Sequence, residues 1–455
     1  MSAKVKDMTI GRPLGLIVSF ALPLMMGSIF QQLYTVVDTM VVGKALGVDA
    51  LAALGSTDWL TWMVLGMVQG ITQGFGILIA REFGAKRFED LRRVVGVSVT
   101  LAAACAAVLL ALAQLLALPM LRLLQTPEDI IENALLYARI IFLGTPIIMA
   151  YNLLATVLRS LGDGQTPLTA MILAALTNVA LDLLFVLVLG WGIVGAAVAT
   201  LIAQAFSSIF CLLRLRKLDF MALKQEHFRS REGLGLRLLG LGWPMALQNG
   251  IIALGGLIIQ RVVNGYGVTM LAGYTATNKL FGLLELAAIA FGYAMVTYAG
   301  QNLGAGDLAR IRKGMGAALA AALAISLIIS AAMLTLGKLI LGLFLSGDPQ
   351  EVAMAMASGY RYLSIMAFGL PILYILHVVR SAVQGMGQTV LPMVSGIGEF
   401  VMRTGCVLVL PALLGEDGIY IAEIAAWLGA DLVLIPSYFI TMKKAARLLR
   451  EENHD

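Results

Sequence analysis

Residues 24–43 read LMMGSIFQQLYTVVDTMVVG, and one side chain in that stretch decides what kind of protein this is. Asp38 is the only charged residue between Arg12 and Lys44, inside a run long and apolar enough to cross a bilayer. A carboxylate near the middle of a spanning helix costs about 2.5 kcal/mol or more, so it is kept only where it meets a partner, a cation or a proton. A second case follows: across the fifty residues from Gly164 to Leu213, Asp182 is the only charge. Two isolated acids inside apolar helices point to ion-coupled transport.

Composition fixes the class. The 455 residues are 60% hydrophobic and 13% charged, where a soluble domain carries about 25% charged residues. The chain reads as an all-α polytopic membrane protein. Cys105, Cys211 and Cys406 each sit alone in apolar sequence, with neither disulfide nor metal-ligand spacing, and read as packing residues. The opening MSAKVKDMTIGRP lacks a signal-peptide core, so the first apolar segment is expected to remain as a span.

Apolar windows of spanning length begin near Leu14, Leu51, Val94, Ala134, Pro167 and Ile193. Six more begin near Arg237, Leu271, Gly314, Ala357, Pro392 and Gly418, which makes twelve predicted transmembrane helices. Of the 32 Lys and Arg, 24 fall at the N-terminus, in the connections after helices 2, 4, 6, 8 and 10, and in the tail. Only Lys44, Arg122, Arg261 and Lys338 fall in the opposite connections. The positive-inside rule therefore places both termini of this multi-pass protein in the cytoplasm, within the cytoplasmic membrane. The formal net charge of +5 thus reflects topology in a lipid bilayer, and no nucleic-acid partner is expected.

The longest polar stretch, around LRKLDFMALKQEHFRSRE, divides the chain into an N-lobe (1–213), a linker (214–236), a C-lobe (237–441) and a tail (442–455). The lobes repeat one another. LGVDALAAL at 46–54 matches YGVTMLAGY at 266–274, FGAKRFEDLRRVVG at 83–96 matches LGAGDLARIRKGMG at 303–316, and GDGQT at 162–166 matches GMGQT at 385–389. Pro23 matches Pro244, and Pro146 matches Pro371. Six helices per repeat is an even number, so the two lobes enter from one side and are related by a pseudo-two-fold axis along the membrane normal. Such repeats place the substrate site between them and work by alternating access. Pro23 and Pro244 each remove a backbone donor in the first helix of a half, where they are expected to kink it.

Helical spacing then groups the polar residues. Gln31, Tyr34 and Asp38 form one stripe on helix 1; Asn178 and Asp182 are an i, i+4 pair on helix 5; Thr200 and Gln204 are another on helix 6. Two carboxylates, an amide and a hydroxyl suit a hard monovalent cation. Equally, the two acids can share a proton, because like charges held close resist joint ionisation. The bland alternative is a static interhelical hydrogen-bond network. Gln31, Tyr34, Gln69, Gln73, Tyr151, Asn152, Gln204, Gln248 and Asn249 are candidate lining for a substrate cavity, together with adaptable methionines such as Met63, Met67 and Met245.

The second half offers other charges. Glu399 and Arg403, at i, i+4, are expected to neutralise one another. Glu285 and Asp431 are buried by sequence and have no assigned role, Lys279 is a candidate partner for either, and His377 reads as packing. Glu416, Asp417 and Glu423 are expected to be solvated near the outer surface, and Arg139 to snorkel. No nucleophile–base pair or HExxH motif lies in a span, which argues against an intramembrane enzyme.

The chain resembles the multidrug and toxic compound extrusion (MATE) family of cation-coupled efflux transporters. QQLYTVVDTMVVG at 31–43, GDGQTP at 162–167, TNVALDLLFV at 177–186, WGIVGAAVATLIAQ at 191–204 and AGQNLGAGDLARIRKG at 299–314 carry the resemblance. It implies an antiporter that exports small organic, cationic or amphipathic compounds against protons or sodium ions, working as a monomer without a cofactor. It also implies an N-lobe cation site at Asp38, Asn178, Asp182 and Thr200, which would bind Na+ where sodium is the coupling ion. A second branch of the family carries acids on helices 7 and 10, which are absent here. The wider superfamily includes lipid-linked precursor flippases with strongly cationic cavities; the few interior basic residues here favour small-molecule efflux.

Overall fold

The structure, a computed structural model, describes residues 5–230, 233–266, 268–342, 345 and 349–452, and a few side chains within that range, Tyr34 among them, lie outside the description. Among the described residues there is no strand. The first half runs α1 (Pro13–Leu46), α2 (Val48–Gly84), α3 (Phe88–Leu123), α4 (Glu128–Leu143), α5 (Thr145–Ser160), α6 (Gln165–Asp182) and α7 (Gly192–Leu215). The second half runs α8 (Leu234–Asn264), α9 (Val268–Gly304), α10 (Leu308–Leu341), α11 (Pro349–Gly385), α12 (Val390–Val409), the single turn α13 (Pro411–Leu414) and α14 (Glu416–Glu452). Among the described residues eleven helices are long and apolar enough to cross a membrane, and a twelfth span is supplied by α4 and α5 together, bent by 47°. This matches the twelve windows read from the sequence.

The bend has a local cause. Pro146 stands in the first turn of α5, where its missing N–H cannot continue the ladder from α4. Gly144, at the junction, packs so closely that a Cβ there would lie 1.9 Å from the Leu201 side chain. Pro371, its repeat counterpart, sits inside the unbroken α11. The two prolines match in sequence and differ in what the backbone does with them. Pro23 and Pro244 likewise lie inside continuous helices.

The chain forms two compact units. One comprises Leu22–Asn249 with the segment up to Met8; the other comprises Thr9–Ala21 with Gly250–Asp455. The boundaries fall inside α1 and α8, so each unit includes a piece of the other half's first helix.

Within the first unit the start of α8 lies directly against α2. A Cβ at Gly70 would meet the Ala246 backbone nitrogen at 2.4 Å, and one at Gly74 would meet Gly242 Cα at 2.3 Å. Backbone-to-backbone contact of this kind admits only glycine, and small residues every fourth position are how membrane helices reach it. The first unit's core has two parts, one around Phe75, Leu91, Val157 and Ala246, the other around Ala53, Ala117, Ala134 and Phe142.

The linker is folded. Two short 3-10 turns, Asp219–Met221 and Gln225–Phe228, lie against the base of α3 in the first unit. Phe220 packs on Phe88 and Phe83, with ring centroids 5.4 and 6.1 Å apart. His227 is fully buried. Its Nδ1 accepts from the Lys224 N–H at 2.8 Å, which leaves Nε2 to carry the proton it gives to Glu89 Oε1 at 3.0 Å. The polar composition of this stretch concealed its apolar anchors.

Candidate functional site

The first unit brings together the three helices that carry the predicted coupling residues. Asn178 and Asp182 stand one turn apart on α6 and face α7, where Asn178 Nδ2 donates to Thr200 Oγ1 at 3.4 Å. The Thr200 hydroxyl spends its own proton on the Ala196 carbonyl at 3.1 Å, so towards the site it presents only lone pairs. From α1, Asp38 meets Asp182 side chain to side chain. Asp182 is 0% exposed and Asp38 9%.

The hydrogen-bond inventory of this cluster is one-sided. Asp38 Oδ1, Asn178 Oδ1, both carboxylate oxygens of Asp182 and Gln204 Oε1 are buried and receive no hydrogen bond. All five are acceptors when the acids are ionised. Leaving such atoms unmet in a low-dielectric interior is costly, and no added acceptor relieves it. A positive species does so well, either protons on the carboxyls or a hard cation coordinated by oxygen. The donor set therefore fits both ions named from the sequence.

Two features here were not anticipated. Immediately after Asp182 the helix widens into a π-helical segment, Leu183–Val188. It closes where Trp191 stacks on Phe185, centroids 4.7 Å apart, and donates its backbone N–H to the Phe185 carbonyl at 2.9 Å. Such widenings collect at functional sites because they shift the backbone register by one residue. The other is Asp58 on α2, an exposed acid that acts electrostatically on Asp38. It is the only charge between Asp49 and Arg81, the same signal that singled out Asp38.

The candidate lining residues divide. Gln69, Gln73 and Tyr151 are half-buried, and Gln31 is exposed on α1. Asn152 turns its amide back onto its own helix, donating to the Ile148 carbonyl at 2.9 Å. Gln248 is buried, and Asn249 donates to the Gly66 carbonyl at 2.8 Å. Asn249 thereby joins α8 to α2 within the first unit. The Tyr34 side chain lies outside the described residues.

The second unit holds a different polar cluster. Arg380 Nη2 on α11 meets Glu399 Oε2 at 2.7 Å, Glu399 Oε1 meets Arg403 Nη2 at 3.0 Å, and Arg403 meets Glu423 Oε2 on α14 at 3.0 Å. The expected Glu399–Arg403 pair is present but is only the middle of a ladder across three helices. Glu423, expected to be solvated, is mostly buried against Arg403. Glu416 accepts from Ser358 and Tyr420, and Asp417 pairs with Arg361, so neither is merely solvated. His377 meets Glu285 at 3.3 Å instead of serving only as packing, and Lys279 pairs with neither Glu285 nor Asp431 among the described residues.

The MatE family model matches this chain twice, over residues 23–184 and 244–405. The two matches are equally long and offset by 221 residues (244 minus 23), which agrees with the tandem repeat read from the sequence. A probable multidrug resistance protein of Bacillus subtilis, YpnP, is 29% identical over 99% of this chain and 100% of its own length. The multidrug export protein MepA of Staphylococcus saprophyticus is 22% identical over 91% and 92% of the two chains. A crystal structure of MATE in a bent conformation superposes with a TM-score of 0.88 at 22% identity, covering 100% of both chains.

Proposed function

The chain belongs to the MatE family, a family of membrane transporters and not of enzymes, and from that premise we propose that it is an antiporter expelling small organic compounds of cationic or amphipathic character. Protons or sodium ions enter in exchange, and coupling runs through Asp38, Asn178, Asp182 and Thr200. The observation that carries this reading is the group of five buried acceptor oxygens on α1, α6 and α7 that no donor serves. A site so composed is stable in the membrane only when neutralised, so the state of the ion and the packing of α1 against α6 are one variable.

The cycle follows from that linkage. An ion entering the first unit neutralises the Asp38–Asp182 pair and lets α1 close onto α6 and α7. Substrate, held with the help of Gln69, Gln73 and Tyr151, is released on the outer side, and departure of the ion inward resets the site. Pro23 on α1 removes the backbone bond whose loss lets the helix bend. Both termini lie in the cytoplasm in this reading, and the protein works as a monomer.

Flippase activity on lipid-linked precursors is disfavoured by the charge pattern. The interior arginines Arg380 and Arg403 are already matched by Glu399 and Glu423, so neither offers an unmatched charge to a pyrophosphate.

Reconstituted protein loaded with a fluorescent cationic dye tests the proposal, with proton and sodium gradients imposed separately. Dye movement driven by at least one gradient, and lost in Asp38→Asn, is the expected result. Wild-type rates in Asp38→Asn under both gradients sink the coupling site. Dye movement indifferent to either gradient sinks antiport itself.

A further inference from the structure

Asp431, midway along α14, is a buried acid that neither the exchange site nor the ion-pair ladder uses. Its side chain is 6% exposed, and its Oδ1 is buried without a hydrogen-bond donor. The charges that act on it come from two packed neighbours, Arg380 of α11 and Glu399 of α12. Arg380, however, commits its Nη2 to Glu399.

Charge counting then isolates Asp431. Arg380 and Arg403 supply two positive charges, and Glu399 and Glu423 two negative ones, so the ladder is closed before Asp431 is considered. His377 of α11 and Glu285 of α9 add a pair that is neutral when the imidazole is protonated and negative when it is not. The helix α10 presents Arg312 to Tyr438, two turns further along α14, and α13, sequence PALL, carries no charge. An ionised Asp431 would leave the whole cluster net negative in a medium where unpaired charge is expensive. Arg380 nevertheless has an unused donor, since its Nε is buried without an acceptor.

We propose that Asp431 is a second proton-binding site, located in the C-terminal unit, and that its ionised form competes with Glu399 for Arg380. With the proton on, the ladder from Arg380 to Glu423 is intact and Asp431 is a neutral bystander. With the proton off, Arg380, the cation that acts on Asp431 among the described residues, is drawn from Glu399 towards Asp431, which loosens α11 from α12. Proton occupancy at Asp431 thereby sets how firmly three helices of this unit are joined. The proposal does not depend on which compound is exported or on the site at Asp38, because proton binding is measured without substrate.

Infrared difference spectroscopy on the purified full-length protein, titrated across the range in which carboxyls and histidines change state, reads protonated buried carboxyls directly. In an Asp38→Asn/Asp182→Asn background, a buried carboxyl band is expected to keep titrating, and adding Asp431→Asn removes that band. An unchanged band after Asp431→Asn overturns the proposal, as does its loss in Glu285→Gln instead. Should Asp431→Asn fail to fold, Asp431→Glu keeps the carboxyl and shifts the band; a band that does not move again overturns it. Failure of the site at Asp38 is separately visible, as a spectrum that the Asp38→Asn/Asp182→Asn change leaves untouched.

Discussion

The candidate site of the first unit sets two buried carboxylates together with no cation beside them among the described residues; the ladder of the second alternates two carboxylates with two guanidinium groups. Both clusters sit in halves descended from one repeat, at similar depth in sequence and at similar burial, yet they solve the cost of charge in opposite ways. Asp38 and Asp182 leave the balance to a mobile ion. Glu399 and Glu423 have it built in, through Arg380 and Arg403. A cluster left short of positive charge is a place to exchange something, whereas a closed cluster is a place to hold something. The lesson is that burial alone does not mark function in a membrane helix; the count of donors against acceptors does.

The contrast predicts opposite signs for substitutions. Arg403→Leu strands Glu423 in the interior and leaves Glu399 to Arg380 alone, and breaking a buried pair in this way costs about 3–5 kcal/mol. Thermal unfolding of the purified protein should show a large drop, and an unchanged midpoint would mean the ladder is not closed. Asp182→Asn should do the reverse: gradient-driven dye transport falls on the order of 10- to 100-fold, the range of a coupling free energy of about 1–3 kcal/mol, while the unfolding midpoint rises or holds. A falling midpoint there would erase the distinction between the two units.

Smaller changes sharpen it. Glu423→Gln leaves Arg403 its bond to Glu399 and should cost roughly 1–3 kcal/mol, the penalty of one weakened charged hydrogen bond, with gradient dependence of transport unaltered. Thr200→Val removes the lone pairs that Asn178 uses and should cost about 0.6 kcal/mol, as interhelical hydrogen bonds in membranes do. It is best seen as a two- to three-fold rise, roughly RT ln K for that energy, in the ion concentration giving half-maximal transport.

The first unit was the more legible of the two from sequence because its signal is local. An acid alone in fifty apolar residues needs no partner to be noticed, and Asn178–Asp182 and Thr200–Gln204 each announce one helix face by i, i+4 spacing. The ladder is long-range. Arg380 and Glu399 are separated by a loop, and Arg380, near the end of its helix, reads as one of the cytoplasmic positive charges. Glu423 sits only seven residues into α14, where position along the chain suggested solvent; Arg403 reaches it across the α12–α14 contact. The π-helical segment after Asp182 has no sequence mark at all, since LLFVLV reads as ordinary helix. Most twelve-span boundaries were clear because hydropathy and Gly/Pro punctuation agree. The break at Gly144 was hidden because its matched proline, Pro371, leaves α11 whole.

The crossing of the unit boundaries through α1 and α8 bears on how the chain is made. The ribosome completes α7 and the linker, and the linker can seat Phe220 and His227 at once, yet the first unit is still missing its last strut until residue 249 has emerged. The second unit, for its part, waits on Thr9–Ala21, synthesised long before. A gene split within the linker would therefore yield two fragments, each short of a piece carried by the other. Co-expression should rescue such fragments, where separate expression should deliver both to quality control.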